Sequence, residues 1–260
     1  MREQLIEKYL RKDKLPHIWC SGCGHAIVLK ALVEAIDSLD CNKDEICIVS
    51  GIGCSSRAAQ YMNFDTIHTL HGRAIPYATG IKLANPKLKV IVMSGDGDAT
   101  AIGGNHLIHG CRRNIDLTVI VMNNNIYGMT GGQCSPTTPK TARTTTTEGG
   151  NLCNDFNICK LCDAAGGTYV ARSTVAHYNQ LVKAITGAIN NKGFSMVEAL
   201  TPCPVQYGRR NSLRRPSDMI KALMEGAKSQ DEKLKIGVFK NTPEPEYVEQ
   251  YINNVLMEEK

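Results

Sequence analysis

The sequence predicts an α/β domain, a parallel sheet flanked by helices. Strand-like and helix-like segments alternate along the chain, the order that builds βαβ units. Two runs, LKVIVMS at Leu88–Ser94 and DLTVIVM at Asp116–Met122, are apolar without alternation, so both of their faces are buried. Each run leads into a polar turn, GDGD after the first and NNN after the second. Ligands of such sheets bind beyond the carboxyl ends of the strands.

Residues 1–14 read as a charged helix, and Leu15–Gly24 as a loop carrying Pro16, Trp19, Cys20 and Cys23. Ala26–Leu39 has apolar residues at helical spacing. Glu45–Ser50 is a short strand that ends in the turn GIGCSS; Ser56–Met62 is helical and Thr66–Leu70 a strand. Ala74–Ala84 is a helix that stops before Asn85–Pro86, because the residue before proline disfavours helical backbone. Leu88–Ser94 is followed by a helix with a small-residue face over Asp98–Cys111, then by the strand Asp116–Met122. Residues 127–155, rich in Gly, Thr, Pro and Asn, form a long functional loop inside the domain, because a core element follows. Asn157–Ala165 is a helix, Thr168–Ala171 a strand, Ala176–Asn190 a helix and Phe194–Leu200 a strand. Residues 1–212 thus form the α/β domain. Residues 213–260 are expected as a small C-terminal appendage of one helix, one strand (Lys235–Phe239) and a polar tail.

The 260 residues, 42% of them apolar, suffice for one substantial core. Apolar runs fall short of the roughly 18–20 residues that span a bilayer, and the charged N-terminus has no signal core, so a cytoplasmic protein is expected. Eleven cysteines in such a chain point to reduced thiols and metal or cluster ligation more than to disulfides. A net charge of +5, one Trp and 5% aromatics lack the basic stripe and stacking platform of a nucleic-acid binder.

Gly95 and Gly97 let the chain turn sharply around Asp96, and Asn124 follows 28 residues later, after one helix and one strand. In a βαβ unit that spacing brings both turns to one sheet edge. A carboxylate, an amide oxygen and a nearby carbonyl are hard ligands suited to Mg²⁺, which would leave its other positions to phosphate oxygens and water. The helix start near Asp98 could also face a phosphate. Either turn alone would be an ordinary cap or loop; the pair at this spacing argues for a bound diphosphate.

CSGC at Cys20–Cys23, Cys54 in GIGCSS and Cys203 in TPCP make a C-x-x-C pair with two distant single cysteines. Four such thiolates fit an iron–sulfur cluster or a structural Zn²⁺, and spacing does not choose between them. Cys159 and Cys162 fall on a helical pattern and read as packing thiols. His106 and His109 share a helix face without a third metal ligand in view.

WCSGCGH (Trp19–His25), SGIGCSSR (Ser50–Arg57), HTLHGRAIPYATGIKLANP (His68–Pro86), GDGDATAIGGNH (Gly95–His106) and NNNIYGMTGGQCSPTTP (Asn123–Pro139) occur in this order. Together they resemble the β subunits of 2-oxoacid:ferredoxin oxidoreductases over roughly residues 15–240, and most resemble those acting on 2-oxoglutarate. The resemblance implies a thiamine-diphosphate-binding fold. It implies oxidative decarboxylation of a 2-oxoacid to acyl-CoA and CO2, with electrons leaving through a 4Fe–4S cluster to ferredoxin, or the reverse carboxylation. It places Cys20, Cys23, Cys54 and Cys203 on the cluster, and Asp96, Asn124 and the Ile126 carbonyl on Mg²⁺. Gly53, Ser55, His71, Gly95, Asp96, Gly97, Asp98, Asn124, Ile126, Gly128, Met129 and Thr130 would line the thiamine diphosphate. Arg57, His71 and Met129 would be catalytic, with Arg57 pairing a substrate carboxylate. Gly131 and Gly132 would let the loop pass close to the cofactor.

Thiamine enzymes also need a glutamate from a pyrimidine-binding domain, for which the chain has no second α/β unit. The family carries it on a separate α subunit, so an α partner is expected, with γ and δ subunits possible in such assemblies. Arg209, Arg210, Arg214 and Arg215 follow a cluster cysteine and could meet acidic ferredoxin, the α subunit or solvent. The alternative substrates are pyruvate and branched-chain 2-oxoacids; the alternative function is a non-redox thiamine decarboxylase with structural zinc.

Overall fold

The computed structural model describes residues 3–256. Residues 1–2 and 257–260, the outer ends of the two expected segments, lie outside the described residues. The chain runs α1 (Glu3–Tyr9), α2 (His25–Ser38), β1 (Ile46–Ser50), α3 (Ala58–Tyr61), β2 (Asp65–His68), α4 (Ala74–Ala84), β3 (Lys89–Gly95), α5 (Asp96–Thr100), α6 (Gly104–Arg113) and β4 (Thr118–Asn123). It continues through α7 (Ile158–Ala164), β5 (Tyr169–Thr174), α8 (Tyr178–Asn190), β6 (Ser195–Leu200), α9 (Pro216–Gly226), β7 (Gly237–Asn241) and α10 (Tyr247–Tyr251). The strands form one seven-stranded sheet in the order β2-β1-β3-β4-β6-β5-β7, parallel throughout except for β7.

The continuous apolar strands are sorted by the pleat, since successive side chains point to opposite faces. Ile46, Ile48, Ile91, Met93, Ile120, Met122, Val197 and Ala199 pack on one face with α2, α3 and α8. Cys47, Val49, Val90, Val92, Val119, Val121 and Met196 pack on the other with α4, α6 and α7. Cys159 and Cys162 are buried in that second core, as packing thiols should be. Among the described residues no helix is long and apolar enough to cross a membrane.

From β1 the chain steps outward to β2 and then crosses back to β3 on the other side of β1. The carboxyl ends of β1 and β3 therefore flank the reversal in strand order, which is where open α/β sheets bind ligands.

Several elements differ from the sequence expectation. The charged helix expected over residues 1–14 ends at Tyr9, where Leu10 bridges to Met62 and a 3₁₀ turn follows over Lys12–Lys14. The single helix over Asp98–Cys111 is broken at residues 101–103 into α5 and α6. There the chain doubles back so tightly that a Cβ at Gly103 would lie 2.3 Å from the Asp98 carbonyl oxygen. β5 runs to Thr174, beyond the expected Ala171, and carries Arg172 into the interior at 1% exposure. The segment expected as an appendage is sewn to the main sheet: β7 pairs antiparallel with β5. The tail beyond it is anchored as well. Buried Glu246 accepts from the Val248, Glu249 and Asp116 N–H groups, and Asn114 Nδ2 donates to the Glu244 and Pro245 carbonyls.

Candidate active site

Three loops, 51–57 after β1, 95–98 at the end of β3 and 124–130 after β4, enclose a cavity of about 140 Å³. All twelve residues expected to line a thiamine diphosphate border it, from Gly53 to Thr130. Of the three residues expected to be catalytic, His71 and Met129 border this cavity, while Arg57 lines a neighbouring one that also holds the cysteines. Arg57 Nη1 donates to Gln60 Oε1 at 3.1 Å.

Asp96 is buried and its two carboxylate oxygens have separate surroundings. Oδ2 accepts the hydroxyls of Ser135 and Thr137, each at 2.6 Å. The inward atom of the Asn124 amide lies 3.2 Å from Oδ1 and 2.7 Å from the Ile126 carbonyl oxygen. With Oδ1 of Asn124 facing inward, three oxygens converge with no hydrogen between them; with the amide turned, Nδ2 would donate to both. Octahedral Mg²⁺ with oxygens at about 2.0–2.1 Å has neighbouring ligands about 2.9 Å apart, so the two oxygen–oxygen distances around Asn124 are those of adjacent ligands in such a shell. Burial pushes the Asp96 carboxyl above the usual range, against the downward pull of the Ser135 and Thr137 hydroxyls. A second feature suits an anionic guest. Ser55 is 2% exposed, borders the cavity, and its Oγ has no hydrogen-bond partner.

Asp98 also borders the cavity, yet its carboxylate is committed to the protein. Oδ1 accepts from the Gly72 N–H at 2.7 Å and the Ile52 N–H at 3.2 Å, and Oδ2 from the Ser94 hydroxyl at 2.6 Å. His71 Nδ1 lies 2.8 Å from Asp98 Oδ1, within ion-pairing range but not aligned for a hydrogen bond. Asp98 thus ties the loops after β1 and β2 to β3. Gly51 leaves it room, because a Cβ there would lie 1.9 Å from Asp98 Oδ2. Gly51→Ala is therefore expected to cost the roughly 1–3 kcal/mol of an overpacked core site. In a protein of this size that lowers the melting temperature by about 5 °C, measured by calorimetry.

Gly97 has a similar duty. A Cβ on it would lie 2.2 Å from the Tyr127 ring, whose hydroxyl donates to the Gly97 carbonyl at 3.2 Å. Burial pushes the Tyr127 phenol up to about 12, so it stays a neutral donor.

Beside this cavity lies another of about 260 Å³, lined by Cys20, Cys23, Cys54 and Cys203 together with Arg57 and Trp19. Cys54, Asn124, Gly128 and Met129 border both cavities and form the wall between them. A Cβ on Gly128 would lie 3.4 Å from Cys54 Sγ and 3.7 Å from Cys203 Sγ, so that wall is one backbone thick. Burial and the neighbouring thiols push Cys23 up to about 12 and Cys54 to about 11. Trp19 Nε1 donates to the Cys54 carbonyl at 2.7 Å and sets the turn. His25 borders the first cavity, and its Nδ1 lies 3.0 Å from Cys23 Sγ; burial depresses it to about 4, so the ring is neutral near pH 7. The remaining histidines of interest pair with arginines: His106 with Arg73, and His109 with Arg112.

This geometry can be set beside known proteins. A family profile described as "Thiamine pyrophosphate enzyme, C-terminal TPP binding domain" matches residues 51–199. The 2-oxoglutarate synthase subunit KorB of Methanocaldococcus jannaschii is 52% identical over 254 residues, 94% of each chain. That of Methanothermobacter thermautotrophicus is 48% identical, covering 98% of this chain and 93% of its own. The chain belongs to the β subunits of the 2-oxoacid:ferredoxin oxidoreductases. A solved structure agrees, that of a 2-oxoglutarate:ferredoxin oxidoreductase from Magnetococcus marinus with 2-oxoglutarate, coenzyme A and succinyl-CoA bound. It superimposes with a TM-score of 0.87 at 32% identity, covering all of this chain and 92% of that one.

Several residues of this β subunit's site had no clear sequence signal. Ser135 and Thr137 hold Asp96, but they lie in a loop with many hydroxyl residues. The SPTTP wording within that loop was the available clue. Tyr127 and His25 sit inside quoted motifs without a spacing that marks their contacts.

Proposed function

We propose that this β subunit binds thiamine diphosphate through Mg²⁺ in the first cavity and a 4Fe–4S cluster in the second. With an α partner it would then convert 2-oxoglutarate, coenzyme A and oxidised ferredoxin to succinyl-CoA, CO2 and reduced ferredoxin, or run the reverse. When bound, thiamine diphosphate supplies the carbanion-stabilising centre that a 2-oxoacid needs for decarboxylation. The chain's residues supply placement. Asp96 Oδ1, Asn124 Oδ1 and the Ile126 carbonyl would hold the metal, and Ser55 Oγ would donate to a phosphate oxygen. Gly53, with φ of +129° and open space where a Cβ would stand, leaves room for the guest. His71 and Met129 border the cavity and would lie near the reacting end.

The observation that carries this reading is the shared wall. Electrons released in the first cavity would cross a wall of Cys54, Asn124, Gly128 and Met129, in which the Gly128 backbone stands beside the Cys54 and Cys203 sulfurs. The four thiols favour a cluster over zinc on dimensions. A zinc site closes four sulfurs to about 2.3 Å from one ion. Among the described residues, no three His, Cys, Asp or Glu side chains stand close enough to hold a single ion. Four thiols around a 260 Å³ cavity suit a larger cube.

The described residues form a single sheet, so the activating glutamate is assigned to an α subunit. Arg57 lies by the thiols, where it would meet a substrate carboxylate reaching along the wall. Arg209 and Arg214 are exposed after Cys203 and suit an acidic electron acceptor.

The test is anaerobic co-purification with the partner subunits, metal and thiamine analysis, and viologen reduction with a panel of 2-oxoacids and coenzyme A. About four irons and one thiamine diphosphate per β chain are expected. So is fastest reduction with 2-oxoglutarate, and no turnover by the β chain alone. Zinc in place of iron, or turnover without a partner, overturns the reading.

A further inference from the structure

Behind the proposed metal-binding turn runs a buried series of side chains in polar contact. Arg172 Nε donates to Glu198 Oε2 at 2.6 Å, and Glu198 Oε1 accepts from Asn123 Nδ2 at 2.7 Å. On its other edge, Asn123 Oδ1 accepts the Asn125 N–H at 3.0 Å and contacts Thr137 Oγ1 at 3.1 Å. Thr137 Oγ1 in turn donates to Asp96 Oδ2 at 2.6 Å. Arg172, Glu198, Asn123, Thr137 and Asp96 are each 5% exposed or less.

A charged pair this deep carries a large desolvation cost, and hydrophobic replacements commonly do as well for stability. Its value here lies in orientation. An asparagine amide can sit in either of two flips, and its neighbours decide which. The Glu198 carboxylate accepts only, so it draws Nδ2 of Asn123 toward itself and turns Oδ1 toward Asn125 and Thr137. That oxygen folds the turn: Asn125 takes a left-handed φ of +61°, and the turn presents Asn124 and the Ile126 carbonyl.

We propose that Glu198 is a positioning residue for the metal-binding turn, acting through Asn123 on Asn124, Ile126 and Asp96. The proposal rests on the reading of the first cavity as a Mg²⁺–thiamine diphosphate site. Glutamine at 198 could serve only one partner, since its oxygen can face Asn123 or Arg172 but not both. Arg172 fixes the far end, donating to the Glu232 and Lys235 carbonyls at 2.8 and 3.2 Å and to Asn157 Oδ1 at 2.7 Å. The 232–235 segment therefore braces the metal ligands from the opposite end of the chain of bonds.

The experiment titrates Mg²⁺ into the co-purified complex with thiamine diphosphate fixed and measures bound thiamine diphosphate by equilibrium dialysis. Asn123→Ala, Thr137→Val and Glu198→Gln are expected to raise the Mg²⁺ midpoint about tenfold, as second-shell losses do. The lost turnover should be recovered at high Mg²⁺, and the cluster's visible absorbance should be unchanged. Thr137→Ser, which keeps the hydroxyl, should restore the midpoint to within about twofold. If Glu198→Gln, or Asn123→Ala and Thr137→Val, melt cooperatively with midpoints within twofold of the parent, the proposal is wrong. It is equally wrong if turnover falls and excess Mg²⁺ does not recover it. A parent complex that binds no thiamine diphosphate at any Mg²⁺ concentration refutes the reading of the cavity itself and this proposal with it.

Discussion

Asp96→Asn is expected to abolish thiamine-diphosphate-dependent turnover while the protein folds at least as well as its parent. The shape of the side chain is conserved, so the effect must come from hydrogens and charge. Two hydroxyls, Ser135 and Thr137, point at the same carboxylate oxygen. An amide there must turn its oxygen to those donors, which places its NH2 toward Asn124 and the Ile126 carbonyl. The NH2 then donates where the proposed cation should sit, and the oxygens that would have gathered around Mg²⁺ are satisfied by a neutral group. Outer-shell partners of metal ligands are worth about 10–100-fold, so loss of a ligand carboxylate should cost at least about 100-fold in kcat/KM. In metal-free buffer the melting temperature should hold or rise. Burial already pushes the Asp96 carboxyl above its usual range, so ionisation there is unfavourable, and Asn removes it. Mg²⁺ with thiamine diphosphate should stabilise the parent and leave the variant unmoved, as read by thermal melting. Turnover within a few fold of the parent would mean that Asp96 is not a ligand.

The residues in that experiment divide cleanly by how they were legible. The gathering of Asp96, Asn124, Cys54 and Cys203 at one end of the sheet could be read from the chain because each lies in a turn after a core strand, whereas Cys20 and Cys23 were marked only by their C-x-x-C spacing. Ser135 and Thr137 could not be read. A hydroxyl in a Thr-rich loop has no periodicity, and its partner is decided by how a 29-residue loop, 127–155, folds back over β4. Arg172 and Glu198 were illegible for another reason. Arg172 reads as the end of its strand and Glu198 as a lone charge within one, and only the structure shows each satisfying the other. The break between α5 and α6 was hidden because small residues suit both a helix and a tight reversal. Arg57, three residues after Cys54, is carried by the turn into the wall of the second cavity, a placement that motif matching does not specify.

Cys54→Ser tests the other half of the site and should separate it from the first. Of the four expected cluster ligands, Cys54 alone borders both cavities. Its main chain is fixed by the Trp19 indole at 2.7 Å, which a serine would leave in place. Burial pushes the Cys54 thiol up to about 11, with Cys203 and Cys20 adding to it, so without a cluster it is neutral, and serine replaces one neutral group with another. Stability of the cluster-free chain should therefore change little. Cluster binding should change greatly, because a thiolate is the nucleophile and ligand that iron requires, and a serine hydroxyl is far harder to deprotonate. Iron per chain is expected to fall by more than half, and 2-oxoacid-dependent viologen reduction by at least about 100-fold, taking outer-shell losses as the lower bound. Thiamine diphosphate binding should stay within a few fold, since no proposed oxygen ligand is touched. Cys162→Ser is the matched control: its thiol is buried in the core beneath β5 and β6, away from the second cavity, so it should lose stability and keep its iron. Full iron and full turnover in Cys54→Ser would remove that thiol from the cluster and, with it, the short electron path across the Gly128 wall.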